Sequence, residues 1–343
     1  MDERNKQQIV FVGATRNFFK VGHRTIHHLS ATRPDVSLML AVPDPAGAEV
    51  ACRGATNVRL VGWEPAAATC PVESLTRIFH GAHSVLLVPP VHRRREVAEA
   101  YIRAAQLARV ERLVCIGVQH VNNLRLQLSR EAGEVSHLLA TSGIEAYTLH
   151  LPLFLENFLY QADLIKAKQI FRFPCRPQSR FAYVACADLA PIVGNLLLGG
   201  DDGRQQKSAS RHQSLRLSAD DSGSCEEFAV LLSYAIGRTI TFETCSDQIF
   251  LDSLMHDGGS ASAIGAARGI LELWREIDAG RDMVPTGHLK QLLGRAPMSL
   301  ERWVQEHACC FTANALCNHP QPPPTHSAPQ PEQEHSPACK AIF

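Results

Sequence analysis

The sequence predicts an α/β protein: a doubly wound parallel sheet with a smaller, mainly helical C-terminal domain and a disordered tail. Three observations carry that prediction. Short, nearly continuous apolar runs alternate with helix-period segments as far as residue 151. The pattern changes character after Pro152. The last stretch, NHPQPPPTHSAPQPEQEHS and its surroundings, is rich in Pro, His, Gln and Ser and has too little apolar surface to offset chain entropy.

The elements follow in order. QIVFV, residues 8–12, is a strand ending at Gly13. Residues 25–31 form a helix, and VSLMLAV, 36–42, is a strand stopped by Pro43-Asp44-Pro45. NVRLV, 57–61, is a third strand, and 72–79 is a helix closed by Gly81. SVLLV, 84–88, is a strand closed by Pro89-Pro90. The helix at 93–108 places apolar side chains at 97, 98, 101, 102, 105 and 108. RLVCI, 112–116, is a strand, 130–141 is a helix stopped by Gly143, and 146–151 is a sixth strand. Strands apolar on both faces belong in a parallel sheet covered by helices on each side. Right-handed crossovers make that sheet doubly wound. Ligands then bind at the carboxyl ends of the strands, where the strand order reverses.

Beyond Pro152 the pattern predicts a helix at 153–168, a strand at 181–184, a helix at 186–198 and a polar loop over 199–212. A strand at 215–217, a helix at 225–236 and a strand at 240–243 follow, and 247–311 reads as all helical. The implied organisation is a sheet domain at 6–152, a smaller domain at 153–312 covering the crevice, and a tail at 313–343. Segments near 181–217 are candidates to return to the sheet.

Composition removes several function classes. Lys+Arg and Asp+Glu are equal at 34 each, so the basic excess of a nucleic-acid-binding or membrane-surface protein is missing. No run approaches the ~18–20 apolar residues of a membrane span. The N-terminus, MDERNKQQ, has no secretory pattern. The 11 cysteines are scattered, several inside apolar runs, and read as buried free thiols of a reducing compartment, the cytoplasm or nucleus. No metal site is expected: His23 and His27 lack a third ligand and read as solvated surface histidines, and Cys309-Cys310 with Cys317 and His319 is only a weak metal hint at the edge of the disordered tail. No nucleophile elbow, phosphate-binding Walker loop or zinc-protease motif occurs. No tyrosine has a lysine four residues later, so the usual short-chain dehydrogenase pair is absent.

The first strand–helix turn runs from Gly13 through Ala14, Thr15 and Arg16 to Gly22. A dinucleotide site needs glycine there for a tight turn, for close approach to a diphosphate and for helix–strand packing. Gly13 meets the first need, and Gly22 meets the last if the loop is lengthened. Amide donors with Arg16 or Lys20 would then hold phosphate. The alternative is an ordinary turn in a fold that has lost its cofactor. Asp44 at the end of the second strand either contacts a ribose or is a plain turn aspartate.

Distributed segments resemble the NmrA-like group of atypical short-chain dehydrogenases/reductases. They are IVFVGAT, SVLLVPPVH, ARVERLVCIGV, GEVSHLLATSGIEAYTLHLPLFLENF and YVACADLAPIVGNLL, the last with Asp188 as its second acid. LLGRAPMSLERWVQEHACCF resembles the C-terminal ending of bacterial NmrA-like reductases and fungal ergot-alkaloid reductases. The resemblance spans 8–311 and implies a Rossmann-type fold that binds NADP or NAD. It implies an NAD(P)H-dependent oxidoreductase of a small quinone, iminium or aromatic-like substrate. The alternative is a non-catalytic NAD(P)-sensing or partner-binding regulator, for which the tail would engage a protein partner.

The cofactor residues this assigns are Gly13, Thr15, Arg16, Gly22 and Asp44, an apolar wall of Val88, Pro89 and Pro90, then Val118, Pro152 and Phe154. Glu156 and Asn157 are the catalytic candidates, as hydrogen-bonding groups toward a carboxamide or substrate, with Glu156 the proton donor. The bland alternative is that these two begin and cap a helix. Four positions depart from the family pattern: Arg16 replaces the second glycine, Pro43 an arginine, Ala132 a lysine and Gly117 a serine or threonine.

Overall fold

A computed structural model describes residues 7–13, 15–63, 71–119, 126–199, 211–254, 261–281 and 285–312. The expected tail at 313–343 lies outside these residues, as does most of the expected polar loop at 199–212.

Strands and helices alternate through the first half: β1 (Gln8–Gly13), α1 (Thr15–Thr32), β2 (Ser37–Val42), α2 (Pro45–Ala51), β3 (Val58–Gly62), α3 (Val72–Phe79), β4 (Ala82–Val88), α4 (Arg94–Leu107), β5 (Arg112–Val118), α5 (Gln127–Thr141) and β6 (Glu145–Leu151). With a late strand, β10 (His212–Arg216), they form one seven-stranded sheet ordered β10-β6-β5-β4-β1-β2-β3. Every pairing in it is parallel. The order reverses at β1, which pairs with β2 on one side and β4 on the other. That is the switch point where a crevice opens.

The strand sequences explain why both faces are covered. In β1, Ile9 and Phe11 enter one core while Val10 and Val12 enter the opposite one. The first core includes Val21, Ile26 and Leu29 of α1 and Leu189, Ile192 and Val193 of α7 (Cys186–Leu198). The second includes Val97 and Tyr101 of α4 and Val135 and Leu139 of α5. Alternation of two apolar sets, rather than apolar and polar, is what a parallel sheet requires.

The rest of the chain builds a lobe beside the sheet. It contains β7 (Leu153–Phe154), a 3-10 segment (Leu155–Gln161), α6 (Ala162–Lys168), β8 (Ile170–Phe173), β9 (Arg180–Val184), β11 (Ser222–Ser224), α8 (Cys225–Ile236) and β12 (Thr241–Thr244). The helices α9 (Asp247–Leu254), α10 (Ala261–Asp278), α11 (His288–Leu293) and α12 (Leu300–His307) follow, with a 3-10 turn at Ala308–Phe311; α11 returns to the sheet and buries Leu289 in its first core. Two small sheets, β11-β9-β7 and β12-β8, sit in this lobe. The helix α8 shows why local sequence sets its ends. Ser224 and Glu227 form a reciprocal capping box, and Gly237 closes the helix in the left-handed region at φ 68.

Several expectations need correction. The helix α1 begins at Thr15, so the lengthened loop expected between Gly13 and Gly22 is helix, and Gly22 is buried inside it. Residues 153–168 are a short strand, a 3-10 segment and a helix instead of one helix, because Leu153 and Phe154 pair with Tyr183 and Val184. The helix α2 was readable yet missed: Asp44 caps it by accepting from Gly47 N at 3.0 Å, with Pro45 as the first helical residue. His23 is buried and packs edge-on to His27, with centroids 4.4 Å apart, instead of lying in solvent. The described cysteines are free thiols, and most of them are buried.

Candidate cofactor and active site

The crevice at the switch point is set by one glycine. Gly13 ends β1 in register with Val88 of β4, at φ +149. A Cβ on Gly13 would lie 2.1 Å from the Val88 carbonyl oxygen. Any other residue would force these two strand ends apart. The helix α1 starts two residues later, so its first-turn amides lie at this end of the sheet and have no helical acceptor. Thr15 and Arg16 occupy that turn; their side chains lie outside the described part of the structure.

Val88 and Pro89 are buried and Pro90 is half-buried. The helix α10 packs directly on the exit of β4. A Cβ on Gly265 would come within 2.3 Å of His92 Nδ1, and one on Gly269 within 2.6 Å of Val91 Cγ1. The lobe therefore closes down on the strand ends through glycines that let the helix backbone approach.

At the ends of β5 and β6 the character changes from apolar to polar. Val118 lies in register with Leu151, the residue before Pro152, and Gln119 N donates to the Leu151 carbonyl at 3.0 Å. His150 lies between these strands and β10, only 2% exposed. A carbonyl can only accept, so His150 Nδ1 donates to Val118 O at 3.1 Å. Its Nε2 therefore accepts from the Ser214 hydroxyl, at 2.6 Å. Burial is the main cause that pulls His150 down to about 4, so the ring is neutral. Gly117 makes room for it: a Cβ there would lie 3.1 Å from His150 Nδ1. The position where a hydroxyl residue was expected from the resemblance is thus bordered by an imidazole.

Phe154 is half-buried in β7, and the 3-10 segment after it carries Glu156 and Asn157. Glu156 is buried, and its Oε1 accepts from Cys186 N at 3.0 Å, the first residue of α7. It thus serves the start of a different helix from its own. Its Oε2 is buried with no hydrogen-bond partner among the described residues. Asn157 is half-buried. Two residues into α7, Asp188 is wholly buried. Its Oδ2 accepts from Met298 N at 2.6 Å and its Oδ1 pairs with Arg295 at 2.8 Å. The start of α7 therefore ties the 3-10 segment to the C-terminal helices.

Of the residues named from sequence, Gly13 and Val88 meet at the switch point, and Val118 meets the strand end at Pro152. Asp44 lies at the exit of β2, exposed, with one oxygen engaged in capping. Sequence reading missed His150 and Arg94. His150 is a lone polar residue inside the apolar run AYTLHL, and that was a usable signal. Arg94 is hidden in the run Arg93-Arg94-Arg95, which looks like a solvated face.

The chain matches no protein-family model, and no curated protein matches it. Solved structures do. A nucleoside-diphosphate-sugar epimerase from Staphylococcus aureus aligns at TM-score 0.64 and 21% identity, over 87% of this chain and 99% of that one. The NADPH-dependent quinone oxidoreductase of Escherichia coli, in complex with NADPH, aligns at TM-score 0.65 and 20% identity, over 87% and 99%. The triphenylmethane reductase of Citrobacter sp., complexed with NADP(H), aligns at TM-score 0.67 and 15% identity, over 88% and 100%. The chain has a Rossmann-type fold. At these identities the likeness speaks to architecture, and it extends through the lobe as well as the sheet. No described helix is long and apolar enough to cross a membrane.

Proposed function

We propose that this chain is an NAD(P)H-dependent oxidoreductase of the NmrA-like type, reducing a small organic substrate of quinone, iminium or aromatic-like character. The observation that carries the reading is the Gly13–Val88 contact at the switch point, with a helix N-terminus two residues beyond it. Such an end offers backbone donors and a positive dipole to a diphosphate. The bound enzymes of similar fold, one with NADPH and one with NADP(H), support the same reading.

The residues present fit a dinucleotide in outline. Gly13 and the first turn of α1, with Thr15 and Arg16, would hold the diphosphate. Asp44 has a second carboxylate oxygen for a ribose hydroxyl, which suits NAD better than the 2′-phosphate of NADP. Val88, Pro89 and Pro90 would give the apolar wall, and Val118, Pro152 and Phe154 the far side. When bound, the nicotinamide supplies hydride; the protein's task is to orient it and keep water out. The lobe, which leaves out α7, β10 and α11 because these pack with the sheet, would act as the substrate-side cover, with α10 pressed on Val91 and His92. Glu156 would present its unpartnered Oε2 toward the substrate side as the proton donor, with Asn157 as a neighbouring hydrogen-bonding group.

A second reading is a cofactor-sensing regulator without turnover. It is favoured by Gly117 and Ala132, which put no hydroxyl or lysine where the resembling enzymes carry them. One experiment separates the two. Purified protein is titrated with NADPH and NADH by fluorescence and calorimetry, and cofactor consumption is then followed with quinones and iminium compounds. Micromolar binding with consumption supports the reductase; binding without consumption supports the sensor. No binding of either cofactor up to millimolar concentration would sink both. Gly13→Ala should abolish binding in either case, because its Cβ has no room beside Val88.

A further inference from the structure

Arg94 is a buried charge that forms no ion pair among the described residues. The first residue of α4, it is 3% exposed. Its Nη1 donates to the Ile116 carbonyl at 3.0 Å, and its Nε is buried with no partner. The other arginines of the run are provided for. Arg93 pairs with Glu96, and Arg95 lies 3.3 Å from Glu134 and 3.9 Å from Glu99. The nearby carboxylate, Glu131, has both oxygens in other bonds, Oε2 accepting from Arg94 N at 2.8 Å and Oε1 from Gln127 at 2.7 Å, and its charge reaches the guanidinium only through space. It forms no ion pair with the guanidinium. Two other titratable neighbours bring no negative charge. Burial pushes the Cys115 thiol up to about 12, and His150 is neutral.

An arginine cannot relieve burial by losing its proton. Buried guanidinium groups are therefore normally paired, and an unpaired one is costly to keep. The bond to Ile116 O places this one near the carboxyl end of β5, beside Gly117 and the crevice mouth. A planar fork with most of its donors idle matches a carboxylate in two-point contact. A phosphate would bring a second negative charge, and among the described residues the imidazole that feels Arg94, His150, is neutral and would not meet that charge.

We propose that Arg94 anchors the carboxylate of an organic acid bound in the crevice, so that the substrate class is an acid carried on an apolar ring or chain. This rests on the reading of the crevice as a substrate site, and its test is separable from cofactor binding.

Matched acids and amides are the probes: acetate with acetamide, benzoate with benzamide, and cinnamate with cinnamamide. Each is titrated by calorimetry into the full-length protein, without cofactor and again with NADPH. At least one acid should bind tenfold or more tighter than its amide. Arg94→Met should erase that preference, and Arg94→Lys should retain part of it. Without ligand, Arg94→Met should melt no lower than the unaltered protein, because it removes an unpaired buried charge. Equal binding of every acid and its amide to the unaltered protein overturns the proposal, and needs no variant to fold. A clear drop in Tm for Arg94→Met with the acid preference intact also overturns it, leaving Arg94 as a brace for β5. An acid preference in a protein that binds neither cofactor would keep the anion site and remove the reductase. NADPH binding without an acid preference would do the reverse.

Discussion

The sheet and the lobe beside it are packed from different residues. The sheet's cores are mainly aliphatic, such as Ile9, Leu38, Leu40, Leu86 and Leu149 on one face. The lobe's core is aromatic: Phe158, Phe171, Phe173, Phe181, Phe228, Phe311, Trp274 and Trp303 lie together. Aliphatic strands pack as repeating layers, each residue against its neighbours in register. Aromatic rings pack as specific pairs drawn from distant parts of the chain. The difference teaches where each region is vulnerable. Losing one sheet residue trims a layer, whereas losing one central ring removes the surface several elements share.

Phe158 is the sharpest place to test this. Its ring stacks on Phe228 with centroids 3.9 Å apart and touches Phe173 at 5.5 Å, Phe181 at 5.9 Å and Phe171 at 6.0 Å. Phe158→Ala should cost ~4 kcal/mol in urea unfolding, with a matching loss of near-ultraviolet dichroism. Leu149→Ala in the sheet should cost ~3 kcal/mol and leave the aromatic signal largely in place. If Phe158→Ala costs no more than a surface change, the contrast between the two regions fails.

Asp188 is where the regions are joined, and its removal ranks next. The carboxylate is wholly buried and fixes Met298 N, while its partner Arg295 is 51% exposed on its side chain. The backbone bond should therefore outweigh the ion pair, which water screens. Asp188→Ala is expected to cost ~3 kcal/mol, with hydrogen exchange at Met298 and Leu300 speeding up. Arg295→Ala leaves that buried carboxylate with its backbone bond alone, and because water already screens the exposed guanidinium it should cost less, ~1–2 kcal/mol. Equal losses from both variants would mean that the charge pair, and not the backbone anchor, holds the C-terminal helices down.

The same contrast explains what was legible in the sequence. The sheet strands announce themselves because each is a local apolar run ended by Gly or Pro, as SVLLV is by Pro89-Pro90. The helix at 225–236 is equally local, since its cap and its stop are neighbours in sequence. The strands Ile170–Phe173 and Ser222–Ser224 were invisible. They are short, and only their pairing with Thr241–Thr244 and Arg180–Val184 makes them strands. In the site, Gly13 and Val88 could be named because a turn glycine and a strand end carry local signals. The Glu156–Cys186 and Arg94–Ile116 contacts could not, because each joins residues 22 or more apart in sequence.

His150 supplies the smallest effect, and it tests the polar strand ends against the apolar ones. Its folded value lies near 4, against an ordinary value of 6.5. Between those two the unfolded chain binds a proton that the folded protein refuses. Stability therefore rises with pH through this window and is lost as pH falls from about 6.5 toward about 4. At pH 5 the share from His150 is ~2 kcal/mol. Burial lowers His28 and His212 as well, so they steepen the same slope. His150→Gln should keep the acid sensitivity of those two while reducing the stability difference between pH 7.5 and pH 5 by ~2 kcal/mol. Urea unfolding at both pH values gives the answer. An unchanged slope would mean that His150 gains a proton in the folded protein and that the ends of β5 and β6 are open to water. A reduced slope would keep them dry, the condition under which a hydride can be transferred there without loss to solvent.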